Sequence, residues 1–261
     1  MSDILLIERD GPVAVVTLHR PQTKNALNPA LVDQLGAALE AVGADEGVRA
    51  VVLTGAGGSF CSGADLKAGI MEDPDLMNHL EERMEAFHRM IRAILRAPKP
   101  FVAAVDGPAV GFGCDLALAC ELRLVTSRAY FQERFVKIGL IPDGGGSFFL
   151  PRLVGVAKAF ELMYSGDSVM GDEAVKLGIA NRVVGEDALR GEAVAWAQKL
   201  AKGPPMAHRL LKDAVWSGLS GSVFDALDRE KRGQLQCLRS ADAMEGIMAW
   251  MQKRDPSFTG Q

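Results

Sequence analysis

The chain has 261 residues, 48% hydrophobic and 24% charged, enough apolar material for one large core or a core with a helical appendage. Its formal charge of −4 gives no reason to expect a polyanion such as nucleic acid as a partner. The first apolar run, Ile4–Ile7, is too short for a secretory core, and no stretch approaches the roughly 20 residues that span a bilayer. The expectation is a cytoplasmic protein with no membrane contact.

Residues 4–9 and 13–18 flank Asp10-Gly11-Pro12 and read as a β-hairpin. After the loop HRPQTKNALN, Asn28-Pro29 offers an N-cap and a first-turn proline for a helix running to about Ala44. Residues 48–54 read as a strand, followed by the glycine loop GAGGSFCSGAD. From 75 to 96, apolar residues at Leu76, Leu80, Met84, Phe87, Ile91 and Leu95 predict a long amphipathic helix, stopped by Pro98 and Pro100. Phe101–Val105 is a buried strand ending at Asp106-Gly107-Pro108. Past Gly111 and Gly113, Leu116 to Cys120 reads as a buried helix. Strands are expected at 121–126 and 129–131. Asp143 then falls on a proline–glycine turn ahead of a helix. Helices at 156–164 and 171–177, a strand at 182–184 and almost pure helix from 186 to 253 complete the reading. Strands thus lie mostly before residue 132 and helices after 145, which predicts an α/β core over residues 1–200 and a helical subdomain over 201–261.

The two glycine turns, each following a strand, carry the first chemical hint. A strand that delivers a glycine turn into a helix N-terminus aims backbone N–H groups outward. Two such turns converging on one point meet the physical requirement for an oxyanion hole. The plainer alternative is a pair of ordinary βα connections. The four cysteines (Cys61, Cys114, Cys120 and Cys237) form no CxxC pair, and the four histidines show no ligand spacing, so these read as reduced thiols and as surface or packing residues.

The runs RPQTKNALN, FCSGADLK, AAVDGPAVGFGCDLALACELRLV and KIGLIPDGGGSFFLPRLVG, in this order, resemble the enoyl-CoA hydratase/isomerase (crotonase) superfamily along nearly the whole chain. GFGCDL lacks the third glycine of a dinucleotide fingerprint, so a Rossmann reading fails. The resemblance implies a crotonase-like spiral of ββα units with a C-terminal helical trimerisation subdomain, assembling as a homotrimer or a hexamer of paired trimers. It implies an acyl-CoA substrate, with no cofactor apart from the CoA of that substrate, and no metal. The motif positions place the oxyanion donors at the N–H groups of Ala64 and Phe112. They place CoA contacts at Lys24, Ala26, Leu27, Asp65, Leu66 and Lys67, and catalytic acids at Asp115 and Asp143.

One departure separates the reactions within the family. A hydratase's second glutamate would fall at 135, which is Phe135 here. Hydration shares its proton work between two carboxylates, whereas a double-bond shift needs one base that lifts a proton from one carbon and returns it two carbons away. The expected activity is therefore that of an enoyl-CoA isomerase acting on a linear or ring-derived acyl-CoA, with Asp143 as base. Asp115 would orient water or set the field around Asp143. Enoyl-CoA hydratase and a non-catalytic acyl-CoA-binding protein are the alternatives. Plainer roles also stand: Asp115 complements a helix dipole and Asp143 suits a turn. Glu133, beside Gln132 and near Asp143, is a third candidate acid, but it falls outside the motif positions and reads as structural. Ile70, Met71, Phe135, Phe148 and Phe149 are either an acyl-tail pocket or core.

Overall fold

The structure is a computed structural model that describes residues 3–68 and 78–261. The sequence-predicted Ile70 and Met71, and the start of the helix expected from 75, lie outside those residues. The hairpin forms as β1 (Leu5–Asp10) and β2 (Val13–Leu18), paired antiparallel. Strands β3 (Ala50–Gly55), β4 (Phe101–Val105), β6 (Leu122–Val125) and β9 (Arg182–Val183) extend it in parallel, giving the order β1-β2-β3-β4-β6-β9. A second sheet joins β5 (Pro108–Val110), β7 (Tyr130–Gln132) and β8 (Val169–Met170).

The period of two along each strand assigns the two faces of the large sheet. Val13, Val15, Ala50, Val52, Val102, Ala104 and Leu124 point to one side. There they meet Leu189, Ala193, Ala197 and Ala201, an i, i+4 stripe on helix α7 (Leu189–Ala201) whose small side chains let the helix sit close. Ala14, Val16, Leu18, Val51, Leu53, Ala103 and Val105 point to the other side, against helices α1 (Pro29–Ala44) and α2 (Leu80–Arg96) and the α3 helix (Phe112–Ala119). Burial on both faces is what parallel strands require, and it explains their near-continuous apolar runs. Asn28 caps α1 by accepting from Leu31 N at 3.1 Å, with Pro29 in the first turn, as the sequence predicts.

Helices α4 (Gly146–Val154), α5 (Val156–Ser165) and α6 (Gly171–Lys176) follow β7. Helices α8 (Pro205–Gly218), α9 (Val223–Leu238) and α10 (Ala241–Gln252) close the chain. Strand β5 is absent from the sequence reading, which ends the preceding strand at the same Asp-Gly-Pro. Pro108 opens β5, a position where a missing N–H costs no ladder bond.

Candidate active site

The two glycine turns leave the same ends of the adjacent parallel strands β3 and β4, and a short ladder then locks them together. Phe60 N donates to Asp106 O at 2.7 Å, Cys61 N to Pro108 O at 2.8 Å, and Val110 N to Cys61 O at 3.0 Å. Cys61 is thereby bridged in parallel to Ala109. Ala64 stands three residues beyond Cys61, and Phe112 three beyond Ala109, so equal offsets carry both peptide nitrogens past the ladder together. The approach is close enough to require glycine. A Cβ on Gly63, at φ +91°, would lie 2.7 Å from Val110 O and 3.7 Å from Phe112 N. Among the described residues, neither Ala64 N nor Phe112 N donates a hydrogen bond. Phe112 also begins α3, whose first N–H groups have no intrahelical partner.

The N-terminal loop is pinned over the first turn by Asn25, which is buried and sits at φ +56°. Its Oδ1 accepts from Arg20 N at 2.8 Å, and its Nδ2 donates to Ala56 O at 2.9 Å and Ser59 O at 2.7 Å. Lys24 is exposed while its carbonyl accepts from Ser62 N at 3.0 Å, two residues from Ala64. Leu27 N donates to Gly63 O and Leu27 O accepts from Asp65 N, so its main chain builds the wall of the turn. Arg20 clasps Ala26 O and pairs with Asp65 at 3.0 Å, while Asp65 Oδ1 accepts from Ala68 N. Of the residues the sequence assigns to CoA, Lys24, Leu66 and Lys67 are presented at the surface. The polar groups of Ala26, Leu27 and Asp65 are engaged internally.

Asp143 is held from two sides. Helix α2 approaches with Phe87, whose ring packs edge-on against Phe112 at 4.7 Å between centroids, and with the next residue, His88, whose Nε2 donates to Asp143 O at 2.8 Å. From α3, Asp115 Oδ2 accepts the Gly144 amide at 2.9 Å. One helix turn thus ties the acid to the residue carrying the second free N–H. Burial pushes the Asp143 carboxyl above the usual aspartate range, with the His88 charge pulling it partly back.

Asp115 is 0% exposed, and burial together with the nearby Glu133 and Asp143 carboxyls pushes it far up. Asp115 thus holds the Gly144 amide and faces the Asp143 carboxyl from inside the protein. Glu133, which the sequence reads as structural, stands in the same cluster, 3% exposed and raised by burial. Its position outside the motifs hid this, as did His88's contact with a carbonyl 55 residues away. Phe135 is buried and packs its ring beside Gly111. Phe149 lies 5.5 Å from Trp216 and belongs to the core. Phe148 is stacked under Arg152 at 3.7 Å.

Comparison with known proteins gives one family, with relatives named both hydratase and isomerase. The family described as Enoyl-CoA hydratase/isomerase matches residues 8–261. A Rhodobacter capsulatus protein named "Probable enoyl-CoA hydratase" is 39% identical over 249 residues, covering 95% of each chain. The Escherichia coli 1,2-epoxyphenylacetyl-CoA isomerase is 35% identical over 262 residues, covering 100% of each chain. The crystal structure of an enoyl-CoA hydratase from Bacillus anthracis superposes with a TM-score of 0.93 at 31% identity, covering 99% of this chain and 100% of that one.

Proposed function

The chain belongs to the enoyl-CoA hydratase/isomerase (crotonase) family of enzymes, and from that premise we propose that it is an enoyl-CoA isomerase. The supporting observation is the count of acids that can meet a substrate. Asp143 is a half-buried carboxylate on the turn that His88 and Asp115 hold, Asp115 is sealed inside, and residue 135 is a phenylalanine.

In this reading Ala64 N and Phe112 N donate to the thioester oxygen of a 3-enoyl-CoA. Asp143 takes a proton from C2, and the electron pair spreads over C2, C4 and the oxygen as a dienolate. Asp143 then returns the proton to C4, leaving the double bond between C2 and C3. Atoms and charge balance within the substrate, with CoA carried as its handle. Each oxyanion donor is worth about 3–4 kcal/mol in systems of this kind, and the helix α3 dipole adds to it. The raised pKa of Asp143 suits a group that must both accept and release a proton. Lys24 and Lys67, exposed near the first turn, would meet the CoA phosphates.

Incubating the protein separately with 3-enoyl-CoA and 2-enoyl-CoA, and following products by mass and chromatography, tests this. Conversion without mass change supports the isomerase. Gain of one water from 2-enoyl-CoA makes it a hydratase. Tight CoA binding with neither conversion makes it a binder. The proposed assembly is a homotrimer or a pair of trimers. Support comes from large apolar side chains left open on the last helices, including Phe224 at 75% and Trp250 at 82% exposure. Sedimentation of the intact chain reads this directly.

A further inference from the structure

The isomerase reading uses one acid and leaves two buried beside it. Glu133 follows β7, and neither of its oxygens has a hydrogen-bond partner. Asp115 Oδ1 has none either, while its Oδ2 holds the Gly144 amide. A Cβ built on Gly146 would collide with both Asp115 Oδ1 and Glu133 Oε1, so these two oxygens share one small space. The charged and titratable groups facing Glu133 are the Cys114 thiol and Asp115 carboxyl from α3 and the Asp143 carboxyl from the following turn. His88 of α2 faces Asp143.

Buried carboxylate oxygens with no donor are costly, and two of them in contact cannot both carry charge. A single proton between them removes both penalties, because it supplies the missing donor and cancels one charge. We propose that Glu133 is a positioning residue: Glu133 and Asp115 hold one proton between them, and this pair fixes the Gly144 turn that carries Asp143. The raised titration of both carboxyls, caused chiefly by burial, agrees with this and belongs to the pair. Gly144 and Gly146 fit the same picture, since each leaves room that a side chain would take from the acids. Loss of the shared proton would put two like charges in contact beside a third. The fold can relieve that only by separating α3, the segment after β7 and the Asp143 turn.

The inference deepens the isomerase reading and rests on it only for the link to turnover, so its test has two arms. Infrared spectra of the intact protein at neutral pH should show the C=O stretch of a protonated buried carboxyl. That band should vanish in Glu133→Gln and equally in Asp115→Asn, because either amide can donate to the remaining carboxylate. A band that survives in either variant, or is missing from the unmodified protein, overturns the shared proton. If the variants fail to fold, titrating the unmodified protein decides instead. The band should disappear above neutral pH together with a fall in Tm, and its absence at all pH values overturns the proposal. In the second arm, kcat/KM toward 3-enoyl-CoA should fall on the alkaline side in the unmodified protein, and that limb should be missing in Glu133→Gln. A merely structural Glu133 would leave the limb where it was. If no enoyl-CoA is turned over, the isomerase reading fails while the infrared band still decides the pair.

Discussion

The two halves of the proposed site are built on opposite principles. The donor half, around Ala64 and Phe112, is made of main chain, and its supports are satisfied: the Cys61–Ala109 bridge, the Asn25 staple and the Arg20–Asp65 pair. The acid half, around Asp143, Asp115 and Glu133, is made of side chains and is left electrostatically unresolved, with four buried carboxyl oxygens unpartnered. A half whose partners are all in place holds geometry. A half that keeps carboxyls short of donors holds reactivity, because it sets proton affinities away from their values in water.

The contrast breaks first on the donor side. Gly63→Ala puts a Cβ against Val110 O and should separate the two N–H groups, lowering kcat by up to about a thousandfold, the loss typical of one missing oxyanion donor. Steady-state kinetics with 3-enoyl-CoA check it, with circular dichroism to confirm that the fold persists. Asp143→Asn should cost about a hundredfold in kcat, the low end of what a positioned acid–base supplies, with KM little changed. Near-normal turnover in that variant would remove Asp143 from its role.

His88→Leu is a smaller and sharper probe. It deletes one hydrogen bond to the Asp143 carbonyl, so about tenfold in kcat is the ceiling. It also removes the attraction that holds Asp143 down, so the acid limb of the kcat/KM profile should move to higher pH. The smallest effect is on stability. Asp115, Glu133 and Asp143 all titrate above their unfolded values, so the folded state binds more protons than the unfolded chain across that range. Their contribution is fully present below the unfolded carboxylate pKa and is lost as pH rises through the raised values. Tm should therefore decline on this account from acid toward neutral and alkaline pH. A Tm that climbed steadily over the same interval would mean that the fold does not raise the proton affinity of these carboxyls.

The donor half was legible in the sequence for a physical reason. Tight approach of two backbones leaves glycines at fixed offsets after apolar strands, and buried parallel strands leave continuous apolar runs. The helix to Ala44 and the turn bearing Asp143 were legible through Asn28-Pro29 and Pro142-Asp143-Gly144. The acid half was legible only where a motif marked it. Glu133 joins Asp115 across a sheet and a helix, and His88 addresses a main-chain carbonyl that any residue supplies, so neither leaves a local pattern. Strand β5 was hidden because its first residue is a proline that also suits a turn.

In the proposed mechanism the polarising groups are peptide nitrogens, so replacement of the side chain at 64 or 112 by anything except proline leaves the donor itself in place. The scaffold can therefore keep its hold on a thioester while the acids around it are exchanged. On that proposal, which bond such a protein rearranges is written in very few places, here 115, 133, 135 and 143. Two chains alike over most of their length can part company in chemistry at a single carboxylate.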